Sequence, residues 1–338
     1  MNARPVALLV SLVLVAGCGR GIEPAALNAP PVSTGFSDEA ATQKAYWTLF
    51  AGAAYPQVQI AGVPLTKTSK ALGLHGSSHN DLLYSSGMAV DASGRVWVLS
   101  FGPNNGNPTS AVVFNAPITP KSKPKYVFVL DGTSAADALA FDPKGNAWVA
   151  SAGNHDVMEY AGPFTKSKTL EPKITLNGGT FNPYGIAVDR SSNVYISINN
   201  STGTESIAVT KPPYTHKPYF LNGLTSPGGL AFDKDGNLYA STNGAKPAVV
   251  RYNSIALKSG ATPSIIDPTG LPPNSYEAAF AFTASGDLYA ANCGNAGSAG
   301  INVWPLSKNR FNPKLAPSVI YTNAQIQAAG CAWGIAIK

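Results

Sequence analysis

The stretch Gly229–Thr242, "GLAFDKDGNLYAST", decides the fold. A short apolar run is followed by Asp-x-x-Gly-Asn and then by a second apolar run with an aromatic residue near its start. Asp bonds the backbone of a tight turn through its own side chain, and Gly or Asn accepts the positive φ that such turns require. Two strands closed in this way make a β-hairpin. The same hairpin is written at "GMAVDASGRVWVLS" (Gly87–Ser100), "ALAFDPKGNAWVAS" (Ala138–Ser151), "GIAVDRSSNVYISI" (Gly185–Ile198) and "FAFTASGDLYAAN" (Phe280–Asn292). Its first strand alone, "GIAIK", ends the chain. With Asp91, Asp142, Asp189, Asp233, Thr283 and Ile337 as equivalent positions, successive repeats are 51, 47, 44, 50 and 54 residues apart.

A third strand follows each hairpin ("AVVFNAP", "VMEYAGP", "IAVTKPP", "VVRYN", "INVWP"). Then come a turn of the type Pro–apolar–Thr or Ser and a fourth strand such as "YVFVLDG" or "YFLNG". Four antiparallel strands in repeats of this length are the blades of a β-propeller. Parallel β-helix repeats are much shorter. "GIAIK" is a first strand without successors, and the N-terminal segment supplies successors without a first strand. "AYWTLFAG" (Ala45–Gly52) aligns with "NAWVASAG", setting Trp47 over Trp148, and "VQIAGVPLTKTSKALGL" (Val58–Leu74) provides two further strands. The expectation is an all-β, six-bladed propeller of four-stranded antiparallel blades over residues 44–338. One blade joins three N-terminal strands to one C-terminal strand, which removes exposed sheet edges. A competing reading makes "SDEAATQKAYWTLF" a short helix capped at Ser37. The repeats resemble those of NHL-type propellers, most closely in "NPYGIAVDRSSNVYIS" and "SPGGLAFDKDGNLYAS". The resemblance covers roughly residues 45–338 and implies a fold, not an activity.

Ahead of the repeats, "VALLVSLVLVA" (Val6–Ala16) is too short to span a bilayer as a helix, which needs about 20 residues, but suits the core of a signal peptide. The small residues leading into Cys18 resemble a bacterial lipobox. On that reading residues 1–17 are cleaved, Cys18 is lipidated, and residues 18–43, rich in Pro, Ala and Ser, form a tether. The alternative is an ordinary secretory peptide with an incidental cysteine. Gly19, where Asp would mark inner-membrane retention, gives a mild preference for the outer membrane of the bacterial envelope. Charged residues are only 12% of the chain, with a net charge of +6. Lysines gather in the hairpins between third and fourth strands, among them Lys121, Lys123, Lys125, Lys166, Lys168, Lys308 and Arg310. They make a basic rim for lipid headgroups, acidic glycans or an acidic protein, or serve as solubilising residues at exposed β edges. Nucleic acid is not expected as a partner of an exported, anchored chain, which is read as a monomer.

Propeller topology sorts the other candidates. Loops from strand 2 to strand 3, and from strand 4 to the next strand 1, share one face, here called the top. That face receives Asn104, Asn154, Asn199, Asn243 and Asn292, together with Asp137, Tyr184, Glu277 and Trp333. Such a ring suits a sugar or a cation, although Asn is also simply a good loop residue. Two carboxylates are few for Ca²⁺, which takes six to eight oxygens. No metal ligand or cofactor is assigned, and a Ca²⁺ or Mg²⁺ ion in the channel stays open. Cys293 and Cys331 fall on neighbouring top loops and are expected to form a disulfide in an oxidising compartment; two separate thiols are the alternative.

Related propellers include gluconolactonase-like enzymes and virginiamycin B lyase-like proteins. The first group implies a channel ion held by an early Glu, central Asn residues and an Asp, and "AYWTLFAG" lacks that Glu. The second implies a His just before a first strand. None of Ser86, Asp137, Tyr184, Gly228, Ala279 and Trp333 is His. His79 beside Asp81 and His155 beside Asp156 are the local base–acid pairs on top loops, and adjacency in sequence does not establish reach to a substrate. The leading expectation is a binding or protein-interaction module at the cell envelope, with no catalytic residue assigned. The alternative is a metal-dependent hydrolase, lactonase or lyase of those propeller types.

Overall fold

The computed structural model describes residues 43–49, 56–75, 82–101, 108–177, 182–199, 206–243, 247–265, 271, 275–294, 299–306 and 315–338. The signal peptide, Cys18, the tether up to residue 42, Asn104, His79, Asp81, Lys308 and Arg310 lie outside these residues. Six sheets form. The closing blade, blade 6, orders its strands β25-β1-β2-β3, from β1 (Lys44–Leu49), β2 (Pro56–Gly62), β3 (Leu72–His75) and β25 (Ala332–Ile337). Three N-terminal strands and one C-terminal strand therefore make one antiparallel sheet. Lys44 and Lys338 exchange both backbone hydrogen bonds, at 2.6 and 2.9 Å.

Blade 1 comprises β4 (Tyr84–Val90), β5 (Arg95–Phe101), β6 (Ser110–Asn115) and β7 (Tyr126–Leu130). Blade 2 has β8 (Ala136–Phe141), β9 (Ala147–Ser151), β10 (Asp156–Tyr160) and β12 (Ile174–Asn177). Blade 3 has β13 (Asn182–Val188), β14 (Val194–Asn199), β15 (Ser206–Thr210) and β16 (Tyr219–Leu221). Blade 4 has β17 (Pro227–Phe232), β18 (Leu238–Thr242), β19 (Ala248–Tyr252) and β20 (Ser264–Ile265). Blade 5 has β21 (Tyr276–Phe282), β22 (Leu288–Cys293), β23 (Gly300–Trp304) and β24 (Val319–Tyr321).

The hairpin turns work as the repeat predicts. Asp233 Oδ1 accepts from the backbone N–H groups of Asp235 and Asn237, both at 2.9 Å, while its Oδ2 accepts from Asn237 Nδ2. Asp91, Asp142 and Asp189 repeat the first two bonds. Gly94, Gly145, Gly236 and Gly286 supply the positive φ. In the blade 3 turn Ser192 takes that role at φ 62°.

Pairing in the closing blade corrects the alignment by one residue. Ala336 faces Tyr46, as Ala140 faces Trp148 and Ala231 faces Tyr239. Tyr46, not Trp47, therefore occupies the repeat's aromatic position, and Lys338 rather than Ile337 stands where other blades place Asp or Thr. The position matters because its ring bridges to the following blade. Trp97 packs on Phe164 of blade 2 at 4.8 Å, and Trp148 on Tyr214 of blade 3 at 4.9 Å. Tyr289 and Tyr46 accept hydrogen bonds from Leu65 N and Ile118 N of the blades that follow them. Phe164, Tyr214, Leu65 and Ile118 are the apolar residues of the Pro–apolar–Thr turns. Aromatic area and edge-to-face contact thus join neighbouring sheets. Trp47 points the other way, toward blade 5, where its ring meets Tyr321 at 5.5 Å, while its Nε1 donates to Gln59 of β2 in its own blade.

Two elements depart from a plain four-strand repeat. Residues Lys168–Leu170, expected in a simple hairpin, form β11 and pair in parallel with β7 of blade 1. A one-turn helix, α1 (Ala324–Ala329), precedes β25; Asn323 caps it and Gly330 ends it at φ 71°. Cys293 and Cys331 are disulfide-bonded with Cα atoms 4.0 Å apart, tying the chain just before β25 to the end of β22.

Candidate functional site

Every first strand is bulged at the same height, where the pairing register slips by one residue. A bulge leaves a residue out of the ladder and re-aims its side chain. The positions left out are Ser86, Asp137, Tyr184, Gly228, Ala278 and Trp333. A six-fold backbone feature thus collects one residue per blade at the upper end of the channel. The freed backbone groups are bound by hydroxyls. Thr48, Ser197 and Ser241 donate to the Ser86, Gly228 and Glu277 carbonyls of the next blade, at 2.5, 2.6 and 2.9 Å. The same hydroxyls accept from Gly334, Gly185 and Gly228 N–H within their own blades. Blades approach so closely here that a Cβ on Gly185 would lie 2.1 Å from the Gly228 carbonyl oxygen.

Just below the bulges, Met88, Leu139, Ile186, Leu230, Phe280 and Ile335 line the axis as an apolar ring. Above this ring sits a cavity of about 40 Å³, and Asp137 is its acidic lining residue. Beneath it the lower lumen, about 210 Å³, is apolar apart from Gln43. The Asp137 side chain is buried, at 9% exposure, and the described residues give its carboxylate no hydrogen bond or ion pair. Burial pushes its pKa up to about 7, because a carboxylate without water or partners is disfavoured in its charged form.

Two phenols, Tyr184 and Tyr276, lie close enough to Asp137 to feel its charge. They meet edge to face at 6.2 Å, and Tyr276 in turn meets Trp333 at 5.9 Å. Blade 4, between the blades of Tyr184 and Tyr276, contributes Gly228 at its bulge. Burial raises both phenols, and the Asp137 charge raises them further. The Tyr276 hydroxyl is buried with no hydrogen-bond partner among the described residues.

The structure brings Asp137, Tyr184 and Trp333 together, and adds Tyr276, which the sequence did not single out. The other described candidates hydrogen-bond to surrounding backbone or side chains. Asn243 Nδ2 donates to the Ser226 carbonyl at 2.7 Å, and its Oδ1 accepts from Glu277 N. Asn292 Oδ1 accepts from Tyr276 N at 3.3 Å, which positions that tyrosine. Asn199 donates to Ser226 Oγ and Asn154 to the Gly132 carbonyl. Glu277 is fully buried, with Oε1 accepting from Asn302 of β23 at 2.7 Å, so it lies within its blade rather than at the ring. A divalent ion of the kind the lactonase resemblance implies does not fit this donor set. One carboxylate lines the cavity there, and the Oδ1 atoms of Asn243 and Asn292 are taken by backbone N–H groups. No group of three or more His, Cys, Asp or Glu side chains among the described residues is arranged around a common point.

A second hollow of about 340 Å³ opens between blades 2 and 3, lined by His155, Tyr214 and His216 among others. It exists because Ala208 stands where blades 1, 2 and 4 carry Val112, Met158 and Val250. The rim lysines Lys121, Lys123, Lys125, Lys166 and Lys168 are all exposed.

The molecule is thus a six-bladed β-propeller whose upper channel mouth holds a buried carboxylate and a wall of three aromatic rings. Among solved structures it is similar to a candidate 6-phosphogluconolactonase from Bacteroides fragilis, at 10% identity over 89% of this chain and 99% of that one, with a TM-score of 0.56. It is also similar to a protein from Lactobacillus plantarum, at 13% identity over 83% of each chain and a TM-score of 0.55. A catalytically inactive virginiamycin B lyase from Staphylococcus aureus, with quinupristin, is 15% identical over 77% of each chain, with a TM-score of 0.48. At these identities the likeness is one of fold alone. No protein-family model matches the chain, and no curated protein matches it.

Proposed function

We propose that this is an exported, lipid-anchored propeller of NHL type that binds a small ligand at its upper channel mouth without transforming it. The observation that carries the reading is the mouth itself: Asp137, with no hydrogen bond or ion pair from the described residues, lines a cavity of about 40 Å³, and its charge acts on the nearby Tyr184 and Tyr276. A buried carboxylate is costly unless a bound molecule pairs with it. Concave, mostly apolar sites with a few convergent polar groups are where small ligands bind.

The described chain begins at Gln43, just before β1, and Gln43 lines the lower lumen on the bottom face. The exposed lysines of the third-to-fourth-strand hairpins share that face. On this reading the basic rim faces anionic headgroups and the mouth faces away from the membrane, open to a glycan, an envelope protein's side chain or a free small molecule. A second reading, a hydrolase or lyase, draws on Asp137 alone, whose pKa of about 7 suits a general acid or base.

The test is calorimetric titration of the full-length protein in detergent with a panel of amines, sugars and lactones, each recovered afterwards for mass spectrometry. Saturable binding that disappears in Trp333→Ala, with the ligand unchanged, supports the proposal. Recovery of a hydrolysed or eliminated product overturns it in favour of the enzyme reading, and a panel that binds nowhere overturns both.

A further inference from the structure

Resting on the mouth as the binding site, we infer that its ligand is an organic ammonium cation, with the charged nitrogen held between the Asp137 carboxylate and the aromatic wall of Tyr184, Tyr276 and Trp333. Four observations converge on that chemistry. First, the cavity that Asp137 lines is about 40 Å³, more than the 10–15 Å³ that one water needs and enough for an ammonium head. Second, the one polar side chain lining that cavity is the Asp137 carboxylate. It accepts hydrogen bonds, so the natural complement is a group with several N–H donors. Third, among the described residues no Lys, Arg or His acts on Asp137, where burial is the influence at work. A buried carboxylate is stable as an anion only when paired, and the described residues supply no positive charge to it. Fourth, Tyr184, Tyr276 and Trp333 form one continuous ring contact beside it. Tyr and Trp faces attract a cation within about 6 Å of the ring centre.

The competing occupants fit less well. A carboxylate or phosphate would face Asp137 with like charge. A neutral sugar stacks on aromatic rings, but the width below the wall admits only a single small group. The apolar ring of Met88, Leu139, Ile186, Leu230, Phe280 and Ile335 closes the channel under the cavity, so the head stops there and the rest of the molecule extends outward.

The experiment uses butylammonium, its neutral isostere butanol, butyrate and glucose with the full-length protein, by calorimetry at pH 6, 7 and 8. Butylammonium is expected to bind, with butanol at least tenfold weaker and butyrate not binding. Because the ammonium requires the ionised carboxylate, its affinity rises about tenfold from pH 6 to pH 8, a dependence the butanol titration lacks. Asp137→Asn abolishes that pH dependence and lowers affinity at least tenfold. Tyr184→Phe keeps the ring and binds within about threefold of wild type, whereas Tyr184→Leu does not. Equal binding of butanol and butylammonium overturns the inference. Binding of glucose but not the amine overturns it while leaving the mouth as a ligand site. Binding of no probe, together with an empty wider panel, removes the site itself.

Discussion

Asp137 is a carboxylate whose stability cost can be separated from everything else that titrates. Its pKa rises from 3.8 to about 7 on folding, so the folded protein holds this proton more tightly than the unfolded chain does. The sign follows directly: the contribution is most favourable below pH 4, and stability falls as pH rises toward 7, where the folded protein must also give up the proton. The full penalty is about 4 kcal/mol, of which about 2–3 kcal/mol develops between pH 5 and pH 8. Asn has nearly the same shape and does not ionise. Urea denaturation of wild type and Asp137→Asn at both pH values therefore gives four free energies, and the double difference cancels every other titrating group. It also cancels whatever the amide itself costs in a buried place. The variant is expected to gain about 2–3 kcal/mol on wild type between pH 5 and pH 8. Parallel pH profiles would mean that water or a partner satisfies Asp137, and would remove the premise that it awaits a cation.

Four further outcomes bear on the fold and its basic rim. Replacing both Cys293 and Cys331 with Ala opens a loop of 38 residues and is expected to cost about 4 kcal/mol, lowering the melting temperature by about 6 °C for a domain of about 300 residues; a scan showing less than about 2 °C refutes this. Ala208→Val fills part of the hollow between blades 2 and 3 and should stabilise by about 1 kcal/mol in urea denaturation, where a loss would indicate that the hollow is needed open. Gly185→Ala places a methyl group against the Gly228 carbonyl and should cost about 3 kcal/mol, read from the same denaturation curve; a wild-type midpoint would show that the blades can part at no cost. On protein carrying Cys18→Ser, replacing Lys121, Lys123 and Lys125 with Gln should weaken binding to anionic vesicles by roughly a hundredfold, at about 1 kcal/mol per lysine, and leave binding to neutral vesicles unchanged in a sedimentation assay.

The number of blades and the way the ring closes were legible because Asp-x-x-Gly-type turns carry their own geometry and recur at blade spacing. The one-residue slip in the closing blade has a physical cause. Strand alternation identifies a buried face only when the other face meets water, but a propeller strand is covered on both sides. Tyr46 and Trp47 are both fully buried, so nothing in "AYWTLF" says which ring meets the next blade. The strap β11 escaped notice for the opposite reason: "KTL" at Lys168–Leu170 is short and largely exposed, with only Leu170 buried, and its partner strand lies in another blade. Asn243 and Asn292 were visible as loop residues, but their direction was set by backbone groups that needed partners, which sequence does not display. Tyr276 was hidden because it lies two residues before its blade's bulge and meets Tyr184 of blade 3 and Trp333 of blade 6 only in the folded ring.

The site itself occupies the place where repetition fails. Six bulges repeat at one height, so the backbone presents six equivalent positions, and a symmetric set of side chains there would only plug the channel. The residues at those positions are Ser86, Asp137, Tyr184, Gly228, Ala278 and Trp333, no two alike. The repeat explains why they meet, and their inequality gives the mouth one charged side, one aromatic side and a gap. A ligand bound there is held by blades 2, 3, 5 and 6 together, and blade 4 contributes by standing back. Gly228→Ala would therefore act twice. Its methyl group would meet the Glu277 carbonyl oxygen at 2.6 Å, and relief of that clash would move the strand that carries Tyr276. Overpacking of this kind costs about 1–3 kcal/mol, so the variant should lose stability and amine binding together, whereas Ala278→Gly, at the equivalent place in blade 5, should lose neither by more than about 1 kcal/mol. If Gly228→Ala binds butylammonium as wild type does, the rings do not depend on the gap in blade 4, and the wall they form is not what holds the cation.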